Sequence, residues 1–210
     1  MSEVLNFKQH KLLHGDITKG SVDLLMNKEK FDILYSDPPW GLGNLKFWNT
    51  INAKMNNIHT FDVDWENFII CFCEIINKYS KDESIVIIEM GLRFSDYFAS
   101  VIERYTKFRR RQTFNTRYRG GGKLLPLHIM YFSKNNGWLF IEQEITDTYG
   151  FRCTDIILKQ CSAPKQIVLD PCCGFGRTLK VSHKYNMTVR GNEINKARLS
   201  NAIDYAERKI

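Results

Sequence analysis

The sequence predicts an α/β domain with a doubly wound, mostly parallel sheet and an antiparallel hairpin at one edge. Short apolar runs rich in β-branched residues alternate along the chain with segments whose apolar residues have helical spacing. Two of these runs end in Asp-Pro, at positions 37 and 170, so that polar loops follow buried strands. A basic stretch around Gly120, Gly121 and Gly122 separates two further strand candidates, which is typical of a hairpin tip.

Length and composition indicate a single domain spanning residues 1–210. The hydrophobic fraction of 43% is enough for a sizeable core. No stretch has the roughly 18 uninterrupted apolar residues of a membrane span. The N-terminus lacks the basic and then apolar profile of a signal peptide. We therefore expect an intracellular protein, cytoplasmic or nuclear, that has no membrane partner.

The net charge of +7 favours a polyanionic partner, because Lys and Arg neutralise phosphates. The six cysteines include no C-x-x-C pair. We therefore expect reduced thiols, most of them buried, and no zinc or other metal site.

In the first half of the chain, apolar spacing and flanking residues predict each element. A short strand ends in a turn, and a helix follows in which Val22, Leu25 and Met26 share one face. Asp64 is a suitable N-cap for a later helix, whereas the Asn- and Lys-rich stretch 41–64 has no strong periodicity and is predicted to be a loop. The predicted elements are strands at 12–17, 31–36 and 84–90 and helices at 18–30, 65–78 and 94–105.

In the second half, two strands flank the glycine-rich tip at 119–123, and strands and helices then alternate again. The β-branched runs before Asp170 and Glu193 indicate buried strands, and each is followed by a helical segment. The predicted elements are strands at 107–116, 125–133, 166–170 and 188–193 and helices at 154–161, 177–184 and 196–208.

Asp37, Pro38, Pro39 and Trp40 follow the buried strand 31–36 directly. They bring a carboxylate, two rigid backbone carbonyls and a large aromatic ring to the C-terminal end of a strand. Open α/β sheets bind their ligands at that end. The set is suited to holding a flat heteroaromatic ring that carries an exocyclic amine.

A second motif, DPCCGFGRT at residues 170–178, closes a strand and opens a helix. Gly174 and Gly176 allow a tight turn and close approach of a ligand, and the helix N-terminus offers N–H groups to a carboxylate. Glu193 ends the next strand, where an acid can accept hydrogen bonds from a ribose diol. A dinucleotide-binding loop would have a third glycine where Leu179 stands. A tight turn that binds no ligand is the alternative.

Together the two motifs resemble those of the amino-methyltransferases, which use S-adenosylmethionine to methylate exocyclic amines of nucleobases. That family has [DNS]-P-P-[YFW] and D-P-x-x-G-x-G-x-T, met here as DPPW and DPCCGFGRT. The catalytic motif comes first, which is similar to the permuted beta arrangement of DNA adenine-N6 and cytosine-N4 methyltransferases. The messenger-RNA adenine-N6 methyltransferase group shares this order and the DPPW motif. Its cofactor-ribose motif is similar to Gly191-Asn192-Glu193, and the resemblance extends from about residue 12 to 202.

The resemblance implies a Rossmann-like methyltransferase sheet, S-adenosylmethionine as methyl donor and a base amine as acceptor. Asp37 and the Pro38 carbonyl would accept the two N–H groups of the amine, the prolines would keep these acceptors rigid, and Trp40 would stack on the extruded base. The catalytic residues are thus Asp37, Pro38, Pro39 and Trp40. The residues implied to bind the cofactor are Asp16, Ile17, Asp37, Asp170, Cys172, Gly174, Gly176, Thr178, Asn192 and Glu193. For Asp16, a turn-forming role after Gly15 is the alternative.

Asp in the first place of DPPW usually accompanies adenine specificity in this family, so the resemblance favours adenine N6 over cytosine N4. We expect DNA as the substrate polymer, with a short or relaxed sequence preference. RNA is one alternative, and a non-catalytic, nucleic-acid-binding partner subunit is another. The oligomeric state is left open by the sequence.

Two regions are available as substrate-recognition insertions, at about 41–64 and 109–124. The second combines Arg side chains with Phe114 and Tyr118, which suits phosphate contact and base stacking or wedging. The first contains Lys46, Trp48 and Lys54. For the region at 109–124 the alternative is a solvated edge hairpin, and for the region at 41–64 it is a loop without specific contacts. The residues predicted to bind nucleic acid are Lys46, Arg109, Arg110, Arg111, Arg117, Tyr118, Arg119 and Lys123.

Overall fold

The computed structural model describes residues 3–56, 64–120, 122–135, 145–146 and 148–207. Its centre is one sheet, in which the strands have the order β1-β2-β8-β7-β3-β4-β6-β5. The strands are β1 (Glu3–Phe7), β2 (His10–His14), β3 (Phe31–Ser36), β4 (Ser80–Gly91), β5 (Arg109–Gly120), β6 (Lys123–Ser133), β7 (Ile167–Asp170) and β8 (Thr188–Glu193). The five strands from β2 to β4 in this order are parallel, and antiparallel pairs add β1 at one edge and β6 with β5 at the other. The predicted doubly wound sheet with an antiparallel edge hairpin is confirmed.

Helices cover both faces of this sheet. They are α1 (Ser21–Met26), α2 (Leu42–Asn56), α3 (Trp65–Tyr79), α4 (Leu92–Tyr105), α5 (Gly150–Cys161), α6 (Arg177–Lys184) and α7 (Lys196–Glu207). Successive residues of a strand face opposite sides, so Leu34 and Ile33 of β3 belong to different cores. The core around Leu34 includes α1, α3 and α4, and the core around Ile33 includes α5, α6 and α7.

The sheet reverses its winding direction between β7 and β3. These two strands are parallel neighbours, with Ile33 opposite Val168 and Leu34 opposite Leu169. From β3 the chain continues to β4 on one side, and from β7 it continues to β8 on the other. The loops after β3 and β7 therefore diverge and leave a crevice at the carboxyl edge of the sheet, where open α/β sheets bind ligands.

The N-terminal region differs from the prediction. The predicted strand at 12–17 is instead β2, ending at His14, and β1 pairs with it through a tight turn at Lys8 and Gln9. Lys8 has a φ of 52°, so the turn contains a left-handed residue without the Gly or Asn that would have indicated it. Ile17 lies in a short 3₁₀ helix, Ile17–Lys19, rather than in a strand.

The predicted loop at 41–64 is also wrong over most of its length, because residues 42–56 form α2. Its inward side has polar residues, including Asn44 and the buried Asn52, where an amphipathic helix would have an apolar stripe. Asn is also a weak helix former. Tertiary contacts rather than local pattern hold this helix, so periodicity gave no signal for it. Residues 57–63, with His59, lie outside the described residues.

Most of the other elements follow the prediction, but the helix predicted at 18–30 is limited to α1, Ser21–Met26. The Asp64 carboxylate accepts a hydrogen bond from the Asn67 N–H at 3.1 Å and caps α3, as predicted. The ranges 177–184 and 188–193 match α6 and β8. The hairpin is longer than predicted, because its strands stay paired as far as Gly120 and Lys123.

Within the described residues, no helix combines the length and the apolar character that a membrane crossing requires. Over the same ranges, no three His, Cys, Asp or Glu side chains are grouped as a metal site would require. All six cysteines are free, and Cys73, Cys153 and Cys173 are buried.

A buried histidine links β2 to β8. His10 Nδ1 accepts a hydrogen bond from the Val189 N–H at 3.0 Å, and His10 Nε2 lies 3.2 Å from Nδ1 of His183. Desolvation and the positive charges nearby, His183, Arg190 and Lys8, lower the pKa of His10 to about 4. The folded protein therefore keeps this ring neutral well below the pH at which a solvated histidine is protonated.

This shift predicts an acid-sensitive fold. The unfolded chain protonates this residue near pH 6.5 and the folded chain only near pH 4, so stability falls as the pH drops through that window. Between pH 7 and pH 5.5 the loss is about 1 kcal/mol. Urea unfolding at both pH values, compared with a His10→Asn variant, measures it. Asn keeps an acceptor for the Val189 N–H but does not titrate. The variant should therefore lose less unfolding free energy between the two pH values than the wild type, by about 1 kcal/mol. Equal losses in the two proteins would contradict the assignment.

Candidate active site

The two Asp-Pro motifs, far apart in sequence, meet at the carboxyl edge of the sheet. They follow β3 and β7, which are neighbouring strands. The Ser36 hydroxyl at the end of β3 donates to Asp170 Oδ1 at 3.2 Å, and Asp170 is buried. The structure therefore brings the predicted catalytic loop and the predicted cofactor loop together in the crevice.

Trp40 is held in one orientation beside Asp37. Its indole Nε1 donates to Asp37 Oδ1 at 3.0 Å, and its backbone N–H donates to Asn44 Oδ1 at 3.0 Å. The ring packs against Gly91, where an added Cβ would lie 2.9 Å from it, and meets Tyr118 edge to face at a centroid distance of 4.6 Å. Carboxylate and ring are thus fixed relative to each other before any ligand arrives.

Asp37 also faces a buried charge network. Arg177 Nη2 lies 3.8 Å from Asp37 Oδ2 and 2.6 Å from Glu89 Oε1. The Tyr35 hydroxyl donates to the same Glu89 oxygen at 2.6 Å. Desolvation and the charge of Glu89 raise the pKa of Asp37, whereas Arg177 and the indole N–H lower it. The side chain is 41% exposed, and water on that side weakens the upward shift because it stabilises the ionised form.

The glycine loop presents backbone to open space. Gly174 has a φ of 53°, and a Cβ added there would meet nothing within 4 Å. Gly176 has a φ of 80°, and a Cβ there would lie 2.7 Å from the Ala202 side chain and 3.0 Å from its backbone. Gly174 therefore leaves room for a ligand, whereas Gly176 allows α6 and α7 to pack.

Asp170 is the buried acid of this loop. Its Oδ1 accepts from the Cys172 N–H at 3.2 Å. Burial raises the pKa of Asp170 to about 6. Hydrogen bonds from Thr178, Cys172 and Ser36 act in the opposite direction and lower this pKa. Burial also raises the pKa of the half-buried Cys172 thiol, so it is a poor nucleophile.

The end of β8 contributes the next set of predicted cofactor residues. Glu193 accepts from the Gly174 N–H at 2.9 Å and from the Asn195 N–H at 2.8 Å, and burial raises its pKa. Asn192 Nδ2 donates to the carbonyls of Gly15 and Pro171, while its buried Oδ1 has no hydrogen-bond partner among the described residues. An acceptor left open in this way is one observation that favours a bound donor.

Asp16 and Ile17 lie beside this strand end. The Gly15 N–H donates to the Glu193 carbonyl at 3.0 Å, which joins the end of β2 to that of β8. The Asp16 carboxylate accepts from the Thr18 N–H at 2.9 Å and caps the 3₁₀ helix, so the turn-forming role is present. Ile17 is buried. The structure thus gathers the predicted cofactor residues along one edge, over β2, β8, β7 and β3.

Helix α2 crosses that edge from the loop after β3 to α7. The Asn195 amide donates to Asn52 Oδ1 at 2.9 Å. The Arg198 guanidinium lies 4.1 Å from the Trp48 ring centroid and 5.4 Å from that of Phe175 in the glycine loop. Trp48, one of the residues of the predicted substrate-recognition region, is half-buried and contacts Arg198.

The outward stripe of α2 has a different aromatic residue. Phe47 is 54% exposed. Its exposed neighbours on the same side of the helix are Gly43, Lys46, Thr50 and Lys54.

The basic residues of the hairpin divide into two groups. Arg109, Arg110 and Arg111 begin β5, opposite the end of β6 and the middle of β4, so β6 and β4 separate them from β3 and Asp37. Their guanidinium groups bind backbone carbonyls and Asp96. Phe114, proposed as a stacking residue, is 2% exposed and belongs to the core, so that interpretation is wrong.

The second group lies at the tip, on the same edge as Asp37. We call Arg117, Arg119 and Lys123, which are all exposed, the tip cations. The last β4–β6 pair is Gly91 with Leu127. The part of the β5–β6 hairpin that carries the tip cations extends past this pair. The Arg119 guanidinium packs over the Tyr149 ring at 5.5 Å. Tyr118, between the tip cations, contacts Trp40, so the hairpin tip borders the crevice.

Sequence reasoning missed three residues of the site: Tyr35, Glu89 and Arg177. Glu89 did give a signal, because it is a charged residue near the end of an otherwise apolar strand. Arg177 was part of the quoted motif but was given no role. A separate open groove of about 420 Å³ lies between α3 and α4, lined by Ile69, Tyr97 and their neighbours. Its lining includes none of the predicted site residues and no cluster of catalytic groups.

The fold is shared with solved structures of low sequence identity. The chain aligns with the M1.HpyAVI–SAM complex over 94% of its length and 98% of that chain, at 15% identity and a TM-score of 0.65. TTHA0409 from Thermus thermophilus, complexed with S-adenosyl-L-methionine, aligns over 94% and 93% at 14% identity and a TM-score of 0.61. PvuII DNA methyltransferase, which is cytosine-N4-specific, aligns over 95% and 86% at 11% identity and a TM-score of 0.66. No protein-family model and no curated protein sequence matches the chain. These alignments establish the Rossmann-like methyltransferase fold.

The two glycines of the loop give a matched pair of substitutions. Both have positive φ, so Ala costs about 1 kcal/mol of backbone strain at either position. Gly176→Ala also drives a Cβ into Ala202, and we expect a total loss of about 3 kcal/mol in unfolding free energy. Gly174→Ala should lose only the strain, because the space around it is open. Urea unfolding of both variants measures the difference, and equal losses would show that the packing argument is wrong.

Proposed function

We propose that this protein is an S-adenosylmethionine-dependent DNA methyltransferase that acts on the N6 amine of adenine. The observation that carries the proposal is the meeting of the two motifs on neighbouring strands, with Asp37 and Trp40 fixed beside Asp170 and the glycine loop. The fold shared with a SAM complex and with a DNA methyltransferase supports the same interpretation.

The residues of the carboxyl edge fit the proposed cofactor. The acids Asp170 and Asp37 would face the methionine ammonium, and the open backbone at Gly174 would face the methionine portion. Glu193 would accept from the ribose diol with the lone pairs that Gly174 and Asn195 leave free, and the unpaired Asn192 Oδ1 would accept a further donor. Asp16 and Ile17 would border the adenine ring. When bound, the cofactor would supply an electrophilic methyl group, and its sulfur would keep the electron pair of the S–CH₃ bond that breaks.

Asp37 and Pro38 would prepare the acceptor amine. Their oxygens accept the two N–H groups, which favours a pyramidal nitrogen whose lone pair is available to form the new N–C bond. As that bond forms, the nitrogen becomes positively charged and its proton becomes acidic. Asp37 then takes the proton, and its raised pKa makes it a better acceptor than an ordinary carboxylate. The Trp40 ring would stack on the base.

Adenine rather than cytosine is the finer part of the proposal. Asp at the first place of the DPPW motif supports it, through the family resemblance. PvuII methyltransferase has the same fold and is cytosine-N4-specific, so the fold alone does not distinguish the two amines.

Two surfaces at the mouth of the crevice are suited to a nucleic acid. On one side lie the tip cations with the exposed Leu124 and Leu125, and on the other lies the α2 stripe with Lys46 and Phe47. Cations would contact phosphates, and apolar side chains would contact bases exposed by extrusion of the target. Arg109, Arg110 and Arg111 are left out of this surface, because β4 and β6 separate them from β3 and their guanidinium groups already bind backbone carbonyls and Asp96.

The function is tested by nucleoside mass spectrometry after incubation of the protein with S-adenosylmethionine and matched DNA or RNA oligonucleotides. We expect N6-methyladenine in DNA. Asp37→Asn should reduce the rate about a hundredfold or more, because it removes the anionic acceptor. Asp96→Asn is the matched control, since this exposed carboxylate pairs with Arg110 of β5, which β4 and β6 separate from β3, and it should leave the rate unchanged.

Other products would revise particular parts of the proposal. N4-methylcytosine would refute adenine specificity, and methylation of RNA alone would refute the DNA substrate. Full activity of Asp37→Asn would refute the role of Asp37. Cofactor and DNA binding without any transfer would favour the non-catalytic partner subunit.

The substrate surface is tested by the salt dependence of DNA binding. Changing the three tip cations to Gln should lower the slope of log affinity against log salt by about 2 to 3, at about 0.9 for each phosphate that is no longer neutralised. The matched control changes three exposed lysines that precede strands at the opposite edge, and it should leave the slope unaltered. These are Lys28, Lys107 and Lys165. A similar fall in slope for both sets would mean that the charge of the whole protein, rather than the tip, governs binding.

A further inference from the structure

We propose that Arg177 and Glu89 form a positioning pair that orients the Asp37 carboxylate and keeps it able to accept a proton. This inference rests on the proposed function and adds two residues to its mechanism. Neither residue belongs to the catalytic motif, and Arg177 is the first residue of α6, directly after the glycine loop.

The geometry of the pair connects three elements around one carboxylate. Arg177 extends from α6 to Glu89 on β4 at 2.6 Å and lies 3.8 Å from Asp37 Oδ2, after β3. Glu89 is buried and is fixed from the other side by the Tyr35 hydroxyl at 2.6 Å. Because Trp40 holds the other carboxylate oxygen of Asp37, both oxygens have a defined neighbour. The carboxylate plane is therefore constrained before an amine binds.

The charges around Asp37 are opposed in sign. Glu89 and Asp170 disfavour its ionised form, while Arg177 and the Trp40 N–H favour it. The Cys172 thiol also lies near enough to interact electrostatically with Asp37, but its raised pKa keeps it neutral. Arg177 thus keeps Asp37 ionised before transfer, when it must accept hydrogen bonds from the amine. Glu89 favours the neutral Asp37 that results when the nitrogen proton moves to it.

Opposite roles predict opposite effects on the pH profile. In Arg177→Met the favourable charge is lost, so Asp37 ionises at higher pH and the acid limb of log kcat should move up by about one pH unit. In Glu89→Gln the repulsion is lost and Arg177 is free to pair with Asp37, so the limb should move down by about one unit. Arg177→Lys keeps the positive charge, so the acid limb of log kcat should stay near that of the wild type. The value of kcat should fall, because Lys orients the Asp37 carboxylate less well than Arg.

The experiment measures methyl transfer from S-adenosylmethionine to DNA between pH 5 and 9 at saturating substrates, with KM and kcat separated. Arg110→Met is the matched control, because this Arg also pairs with an acid but lies on β5, which β4 and β6 separate from β3, and the acid limb of its profile should not move. If Arg177→Met does not fold, Glu89→Gln and Arg177→Lys decide the question by the direction of their limbs.

The outcomes separate this inference from the proposed function. Opposite displacements of the acid limb support the positioning pair. An active wild type whose variants lose rate without displacement, or with displacement in one direction, overturns the pair but leaves the function intact. A wild type that transfers no methyl group to any base overturns the proposed function itself.

Discussion

The candidate site depends on one backbone constraint, the parallel pairing of β3 with β7. Each strand ends in Asp-Pro, and their pairing turns two distant sequence motifs into one crevice. The chain leaves the two strands in opposite directions, so neither loop covers the other. Ser36 and Asp170 then connect the loops by a hydrogen bond. Any change that displaced β7 relative to β3 would separate the proposed methyl donor from the proposed acceptor.

Polar contacts rather than apolar packing complete the crevice. Helix α2 is anchored by Asn44 at one end and by Asn52 at the other, and the Trp48–Arg198 contact lies between them. Each anchor is a directional bond to a residue of the site or to its immediate neighbour. Such contacts specify one position for the helix, whereas an apolar stripe would tolerate sliding. The loop proposed to be catalytic and the end of the site proposed to bind the ribose are thereby connected to the same helix.

The motifs could be predicted from sequence because their chemistry is local: an apolar run followed by Asp-Pro, or a glycine turn followed by a helix. The neighbourhood of Glu89, Arg177 and Asp37 could not, since it requires the strand order and the pairing of β4 with β3. For Phe114, the alternation of side chains along β5 determines whether the ring faces the core or solvent. It faces the core, while Asn115 and Arg117 face solvent, and that assignment needs the hairpin register. Likewise α2 has no apolar period, so local reasoning interpreted a helix as a loop.

The distribution of charge explains how a basic protein can have an acidic centre. Asp37, Glu89, Asp170 and Glu193 converge at the carboxyl edge, with Arg177 among them as a compensating cation. The tip cations and Lys46 lie outside this centre, at its rim. A polyanion would therefore be attracted to the rim, while its phosphates would be repelled from the interior. A neutral base that becomes cationic during methyl transfer would experience the reverse, because the acidic centre stabilises the charge as it develops. The same arrangement that would keep phosphates out would thus favour the proposed reaction of an extruded base.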